Sequence, residues 1–250
     1  MIINFLQNIQ QLATVSLAEL DTVSLQNRID SKYVFNKDDL MSLMPCLLQN
    51  YKVLTIDSLR SFSYENNYFD TKDLLFYQDH HNGYVNRIKV RSRKYVESNL
   101  CYFEIKKKEK INRTNKHRSK LSSLASGVTS ENHDLVQSYT RKNLQELQFI
   151  LKNNFNRITL VNTDFTERVT IDYNLLFSDE LNEVTLDQVA IIEVKQSKVT
   201  KNSPLVDFLR AQNTRQNSFS KYIVGVIALH PEIKKNNFLP LIKNLNKIQK

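Results

Sequence analysis

The chain has only three glycines in 250 residues, Gly83, Gly127 and Gly225, and they lie far apart. Without clustered glycines there is no G-x-x-x-x-G-K-[ST] loop, no G-x-G-x-x-G turn and no kinase-type glycine loop. An anion handled here must be gripped by side chains rather than by a backbone cradle. Cysteine is equally sparse. Cys46 and Cys101 give neither a disulfide framework nor a metal-binding spacing, and they read as two reduced thiols of a cytosolic protein. Long apolar runs are missing too. The longest is Tyr222 to Leu229, far short of the ~20 residues of a spanning helix. Met1-Ile2-Ile3-Asn4-Phe5 lacks the charged start and apolar stretch of a signal peptide. The expectation is a soluble, cytoplasmic chain, whose association with the inner face of a membrane would be peripheral and through a membrane-protein partner.

What is present is apolar surface and positive charge. Hydrophobic residues make up 41% of the chain, with thirteen Phe and eleven Tyr, enough to bury a core. Lys and Arg number 35 against 26 Asp and Glu, a formal charge of +9. With no internal repeat and no Pro/Ser linker, residues 1–250 read as one domain. A leading helix occupies 1–23, the main body 24–229 and a helical tail 230–250. The spacing of Phe5, Leu6, Ile9, Leu12, Ala13, Leu17 and Leu20 predicts that leading helix over 4–20. Asn36 is placed to cap a helix over 37–50. Strands are expected over 26–35, 51–57, 61–69, 84–96, 100–109, 156–162, 164–173 and 188–197. Residues 110–130 read as a polar loop, 131–153 as a helix, and 204–213 as a helix opened by Pro204. The tail 232–250 offers Phe238, Leu239, Leu241, Ile242 and Leu245 to dock as a helix.

Charge within the strands carries the information. Side chains alternate across a strand with period two. One face of 87–93 therefore holds Arg87, Lys89, Arg91 and Arg93, and the other holds Ile88 and Val90. The same alternation lines up Tyr102, Glu104, Lys106 and Lys108. It also groups Arg28, Asp30 and Lys32; Arg168, Thr170 and Asp172; and Glu193 and Lys195. These faces carry ten bases against four acids, two thirds of the formal charge. A solvated sheet face mixes signs. Four like charges on one strand repel unless an anion sits among them. A sheet apolar outside and charged inside describes a barrel with a polar lumen.

A nucleic acid would call for aromatic platforms on the charged face, where Tyr102 is nearly alone, and no nucleic-acid-binding motif occurs. A compact phosphate-rich anion suits Arg and Lys better. Interspersed carboxylates suit Mg²⁺ or Mn²⁺ held jointly with substrate phosphates. Glu193 and Glu104 are the metal candidates, ahead of Asp30 and Asp172, which would otherwise orient neighbouring bases. His80-His81 beside Asp79 has no third ligand at zinc spacing. It reads as a turn into Gly83, where a positive φ suits glycine. Asp70 or Thr71 would cap the next turn.

Arg28-Ile29-Asp30-Ser31-Lys32-Tyr33 resembles the opening R-x-D-x-K-Y strand of the VTC-type polyphosphate polymerase domain. In the same order come Tyr68-Phe69-Asp70-Thr71, Tyr77 to Gly83, Arg87 to Tyr95, Glu104-Ile105-Lys106, Glu167 to Asp172, Ile192-Glu193-Val194-Lys195 and Ser218 to Tyr222. The resemblance implies an α+β fold of the CYTH-like, or triphosphate tunnel metalloenzyme, superfamily. That fold is an antiparallel β-barrel tunnel of about eight strands with flanking helices. It also implies an ATP-polyphosphate phosphotransferase, with ATP and polyphosphate as ligands and Mn²⁺ or Mg²⁺ held by glutamate. Lys32, Arg91, Arg93, Lys106, Arg168 and Lys221 match the family's phosphate-binding bases, and Arg118, or Lys116, matches a further one. Arg91, Arg93, Arg168 and Lys221 are the catalytic candidates. Lys32, Arg28, Arg87, Lys89, Lys106, Arg118 and Lys195 are the substrate-binding ones. Adenylate cyclases and triphosphatases of the superfamily open with E-x-E-x-K, where this chain has Arg28-x-Asp30-x-Lys32, and that departure favours the polymerase branch. The alternatives are an inorganic triphosphatase of the same fold and a non-catalytic polyanion-binding module.

Overall fold

The computed structural model describes residues 2–21, 28–109, 114–140, 142–197 and 202–249. The chain opens with α1 (Ile2–Asn8), a 3-10 turn over Ile9–Gln11, strand β1 (Thr14–Val15) and α2 (Leu17–Asp21). The continuous helix expected over 4–20 is therefore broken. Ser16 starts a new helix through a capping box. Its amide and hydroxyl bond Glu19 Oε2 at 2.8 and 2.6 Å, and the Glu19 amide returns to Ser16 Oγ. After β2 (Arg28–Asn36), Asn36 Oδ1 accepts from the Asp38 amide at 2.9 Å and begins the helical segment expected there. Its first half, Lys37–Leu43, is 3-10, and only Met44–Asn50 (α3) is α-helical, with Pro45 in its first turn.

Strands β3 (Tyr51–Leu54) and β4 (Phe62–Thr71), helix α4 (Leu75–His81), and strands β5 (Arg87–Tyr95) and β6 (Leu100–Lys108) follow. The expected loop 110–130 instead holds an edge strand, β7 (Thr114–Leu121). Its side chains are polar on both faces, which hid its period from an apolar-pattern reading. Helix α5 covers only Ser130–Ser138, and β8 runs from Leu147 to Asn162, so the helix expected over 131–153 is corrected in its second half. Leu144, Leu147 and Ile150 have helical spacing, but Ile150 and Leu151 are both buried because β8 has apolar neighbours on either face. Strands β9 (Glu167–Ser178), β10 (Glu183–Leu186) and β11 (Val189–Ser197) and helices α6 (Pro204–Ala211), α7 (Lys221–Leu229) and α8 (Leu239–Ile248) complete the chain. Among the described residues no helix is long and apolar enough to cross a membrane.

The main sheet runs in the order β2-β11-β9-β8-β4-β5-β6-β7, antiparallel at every step. Among the described residues no ladder joins β2 to β7. The chain ahead of α7 spans part of that gap. Gln216 bridges Tyr33, the Asn217 amide donates to Lys32 O at 2.7 Å, and Ser220 Oγ accepts from Lys89 Nζ on β5 at 2.7 Å. The sheet thus curls into an antiparallel tunnel.

Its convex face is dry. Tyr33, Phe35, Ile158, Leu160, Ile171, Ile192 and Val194 pack with residues of α1, α3 and α6. Ile88, Val90, Phe103 and Ile105 pack with α4 and α5. Helix α7 packs elsewhere. It meets Val34, Leu151, Phe177 and Ile191, and Val34 and Ile191 share strand faces with Lys32 and Glu193. The helix therefore fills part of the inside of the curl. Gly225 makes this approach close enough: a Cβ there would lie 2.6 Å from the Phe177 ring and 3.0 Å from Leu151. Burying α7 in this way delivers its first residue, Lys221, to the charged interior.

Candidate phosphate tunnel

The ladder between β5 and β6 sets Arg87 opposite Lys108, Lys89 opposite Lys106, Arg91 opposite Glu104 and Arg93 opposite Tyr102. Only one of these positions pairs opposite charges. Arg91 Nε and Nη2 donate to Glu104 Oε2 at 2.8 and 2.6 Å. Lys116 Nζ lies 2.6 Å and Arg118 Nε 3.7 Å from Glu104 Oε1. Burial alone would raise the pKa of this carboxyl; Arg91, Arg93 and Lys116 outweigh it and hold Glu104 well below the usual carboxylate range.

Two more carboxylates repeat the pattern. Asp172 is 2% exposed and chelates Arg157, with Nε at 2.5 Å and Nη2 at 2.7 Å, and it also binds Lys221 Nζ. Burial pushes its pKa up, but Arg157 and Lys221 pull it down to about 2. Glu193 lies 3.1 Å from Lys195 Nζ and 3.7 Å from Lys32 Nζ, and these charges overcome burial to hold it ionised. Asp172 thus orients bases, as the sequence allowed.

The cations outnumber these three acids, and the excess shows in their ionisation. Burial lowers the pKa of Lys221 to about 8, against the partial support of Asp172. Burial likewise lowers Lys195 to about 8, against Glu193. Lys89 bonds Ser220 Oγ, and its strongest charged neighbours are Lys32, Lys106, Arg87 and Arg91, all positive. Burial first, then those charges, push it well below the usual lysine value. Lys106 is lowered by burial and then by Lys32. Lys32 and Lys106 belong to strands far apart in the sheet order, so their mutual repulsion reports the curl. Arg93, 7% exposed, is held by Asn66 Oδ1 at 2.7 Å. Arg168 lies opposite Lys195 in the β9–β11 ladder. Arg28 opens β2 opposite Ser197; its side chain lies outside the described residues. The structure therefore brings together Lys32, Lys89, Arg91, Arg93, Lys106, Lys195, Lys221, Glu104 and Glu193, with Arg87, Arg118 and Arg168 on the same strand faces.

Some residues were not anticipated. Arg157, the main partner of Asp172, lies in the strand expected over 156–162, on the face of Phe155 and Thr159, where it is a lone charge with no alternating run to mark it. Tyr64, Tyr95 and Phe155 extend the tunnel faces beyond the charged positions. Thr170 faces Glu193 across the ladder, and its buried Oγ1 has no hydrogen-bond partner among the described residues. His80 and His81 end α4 and lead into Gly83 at φ 73°. Burial, then Lys89, Arg87 and Lys108, lower the pKa of His80 to about 2, so its ring is neutral near pH 7. His81 meets Asn236 Oδ1 at 2.9 Å. Asp70 accepts from the Thr71, Phe76 and Tyr77 amides and from the Tyr222 hydroxyl, so it caps α4 and ties it to α7. Cys46 and Cys101 are free thiols. Among the described residues no three His, Cys, Asp or Glu side chains converge as a metal cage.

A family model described as the VTC domain matches residues 27–230. The chain belongs to the VTC domain family. The chain matches none of the curated protein sequences. Among solved structures it is similar to the PH1819 protein of Pyrococcus horikoshii OT3, at 12% identity and a TM-score of 0.45, over 79% of this chain and 97% of that one. It is also similar to HpAC1 of Hippeastrum, described as having a dominant triphosphatase activity, at 13% identity and a TM-score of 0.46, over 83% and 100%. The Pct1 RNA triphosphatase of S. pombe matches at 11% identity and a TM-score of 0.27, over 92% and 88%.

Proposed function

We propose that this VTC domain is a metal-dependent polyphosphate polymerase that moves the γ-phosphate of ATP onto a polyphosphate chain and releases ADP. One observation carries the reading: a buried set of cations, borne mostly on strands and only partly neutralised by Glu104, Asp172 and Glu193, that lines the inside of the curled sheet. Membership of the VTC domain family supports it.

In this reading Arg91, Arg93, Arg168 and Lys221 surround the transferring group, and Lys32, Lys89, Lys106 and Lys195 hold the flanking phosphates. Arg87, Arg28 and Arg118 extend the cationic track. Arg side chains offer forked bonds to phosphate oxygens and Lys side chains offer point charges. The internal acids fix the bases beforehand, so little reorganisation is needed when charge builds up on the transferring group. A terminal oxygen of the acceptor chain attacks Pγ, the bond from Pγ to the β,γ-bridging oxygen breaks, and ADP leaves. The acceptor oxygen is already ionised, so the step needs positioning and charge rather than a general base.

Glu193 suits Mg²⁺ or Mn²⁺. It is ionised, and it faces the unpartnered Thr170 hydroxyl. One or two carboxylates plus substrate phosphates are the usual Mg²⁺ set. Such an ion would offset charge on the β- and γ-phosphates. Glu104, already held by three cations, is the weaker of the two candidates. With ATP as donor, the reading puts the domain in the cytoplasm, with a membrane-protein partner as receiver of the product. Arg91→Ala or Glu193→Gln is expected to abolish ATP-dependent polyphosphate synthesis while the far-UV circular dichroism spectrum is kept. Full activity in either variant refutes the assignment.

A further inference from the structure

The two ends of the tunnel differ in chemistry. One end presents Arg87, Lys89, Lys106 and Lys108. The other lies by the β5–β6 turn and is lined by rings. Tyr64 and Phe155 stack at 5.1 Å and 7°, Tyr64 meets Tyr95 at 5.0 Å, and Tyr95 meets Tyr102 edge-on at 6.0 Å. Guanidinium groups lie over this chain of rings. Arg118 is 3.4 Å above the Tyr102 ring centre, and Arg93 and Arg157 lie 5.2 and 5.1 Å from that of Tyr64. Phe155 is buried, whereas Tyr64, Tyr95 and Tyr102 are half-buried and the Arg118 side chain is 38% exposed, so the outer rings stay reachable.

A polyphosphate has no π-face and gains nothing from rings. A nucleobase does, because every base stacks on aromatic side chains and on guanidinium planes. We propose that the Tyr95–Tyr102–Arg118 stack is the nucleobase subsite. It would seat the base of a nucleoside triphosphate at the turn end of β5 and β6 and direct its phosphates toward Arg91 and Lys89. Tyr95 lies four residues from Arg91 along β5, about 13 Å at strand spacing. That span is comparable with the reach of an extended nucleoside triphosphate. Stacking without base-edge hydrogen bonds discriminates poorly, so ATP and GTP should bind alike and CTP more weakly. This inference rests on the proposed triphosphate tunnel.

The test titrates ATP, CTP and inorganic tripolyphosphate into the wild type, Tyr102→Ala and Tyr102→Phe by calorimetry, with chelator present to prevent turnover. Tyr102→Ala should weaken ATP about tenfold and leave tripolyphosphate within about twofold, with Tyr102→Phe close to wild type. Equal losses for ATP and tripolyphosphate would overturn the subsite, because Tyr102 would then only support Arg118. So would an unchanged ATP affinity in Tyr102→Ala. Failure of tripolyphosphate to bind the wild type would instead refute the tunnel reading itself, and the subsite with it.

Discussion

Replacing Asp172 by Asn tests whether the tunnel is built to receive an anion. Asp172 is 2% exposed and neutralises Arg157 and Lys221 together. The amide keeps the shape and can still accept one hydrogen bond from Arg157, but it leaves two buried cations without their counter-charge. Breaking a buried pair in this way costs about 3–5 kcal/mol, and the surviving hydrogen bond returns about 1. A net loss of about 3 kcal/mol lowers the melting temperature of a 250-residue chain by about 6–12 °C. Bound tripolyphosphate would supply the missing negative charge. The ligand-induced rise in melting temperature should therefore be larger in Asp172→Asn than in the wild type and should recover most of the loss. Differential scanning fluorimetry with and without millimolar tripolyphosphate reads both quantities. The same deficit with and without ligand would refute the reasoning, because Arg157 and Lys221 would then be structural cations that the anion never meets.

Two further outcomes follow from packing and ionisation. Gly225→Ala gains about 1 kcal/mol of helix propensity but drives a methyl into Phe177 and Leu151, at a cost of about 1–3 kcal/mol. It should melt below wild type and Gly225→Leu lower still; a stabilised alanine variant would contradict the close seating of α7. Lys195 and Lys221, both held near about 8 by burial, must be charged to grip phosphate. Tripolyphosphate affinity should fall between pH 7 and 9, and binding near pH 8 should take up protons, seen as a buffer-dependent calorimetric heat. The stability effect has the opposite sign. Their folded pKa values lie below the ordinary 10.5, so the unfolded chain binds more protons between about pH 8 and 10.5. Over that window these two lysines make the ligand-free protein more stable as pH rises.

The strand faces were legible because charge alternated with apolar residues in β5, β6, β9 and β11, and a period of two is a direct consequence of the pleat. Helix α6 was legible from Pro204, which opens it, with Ser203 Oγ accepting from the Val206 amide. Sequence failed where the pattern did not match the environment. β7 is a charged edge strand with no apolar face to betray it. β8 is buried on both sides around Ile150–Leu151, and that hid its first half. The role of α7 was equally invisible. Tyr222 to Leu229 looked only like an apolar run, and nothing local says that it enters the tunnel, ties to Asp70 through Tyr222 and thereby aims Lys221 at Asp172. The tyrosine end carries no charge to mark it, although Tyr95 continues the same alternation two residues beyond Arg93.

The most direct test of the account gives the purified protein ATP labelled at the γ-phosphate together with Mn²⁺, and resolves the products on a polyphosphate gel. The account predicts a ladder of labelled chains that grows with time and is lost in Arg91→Ala. Label recovered only as orthophosphate, or left wholly in ATP, would contradict it.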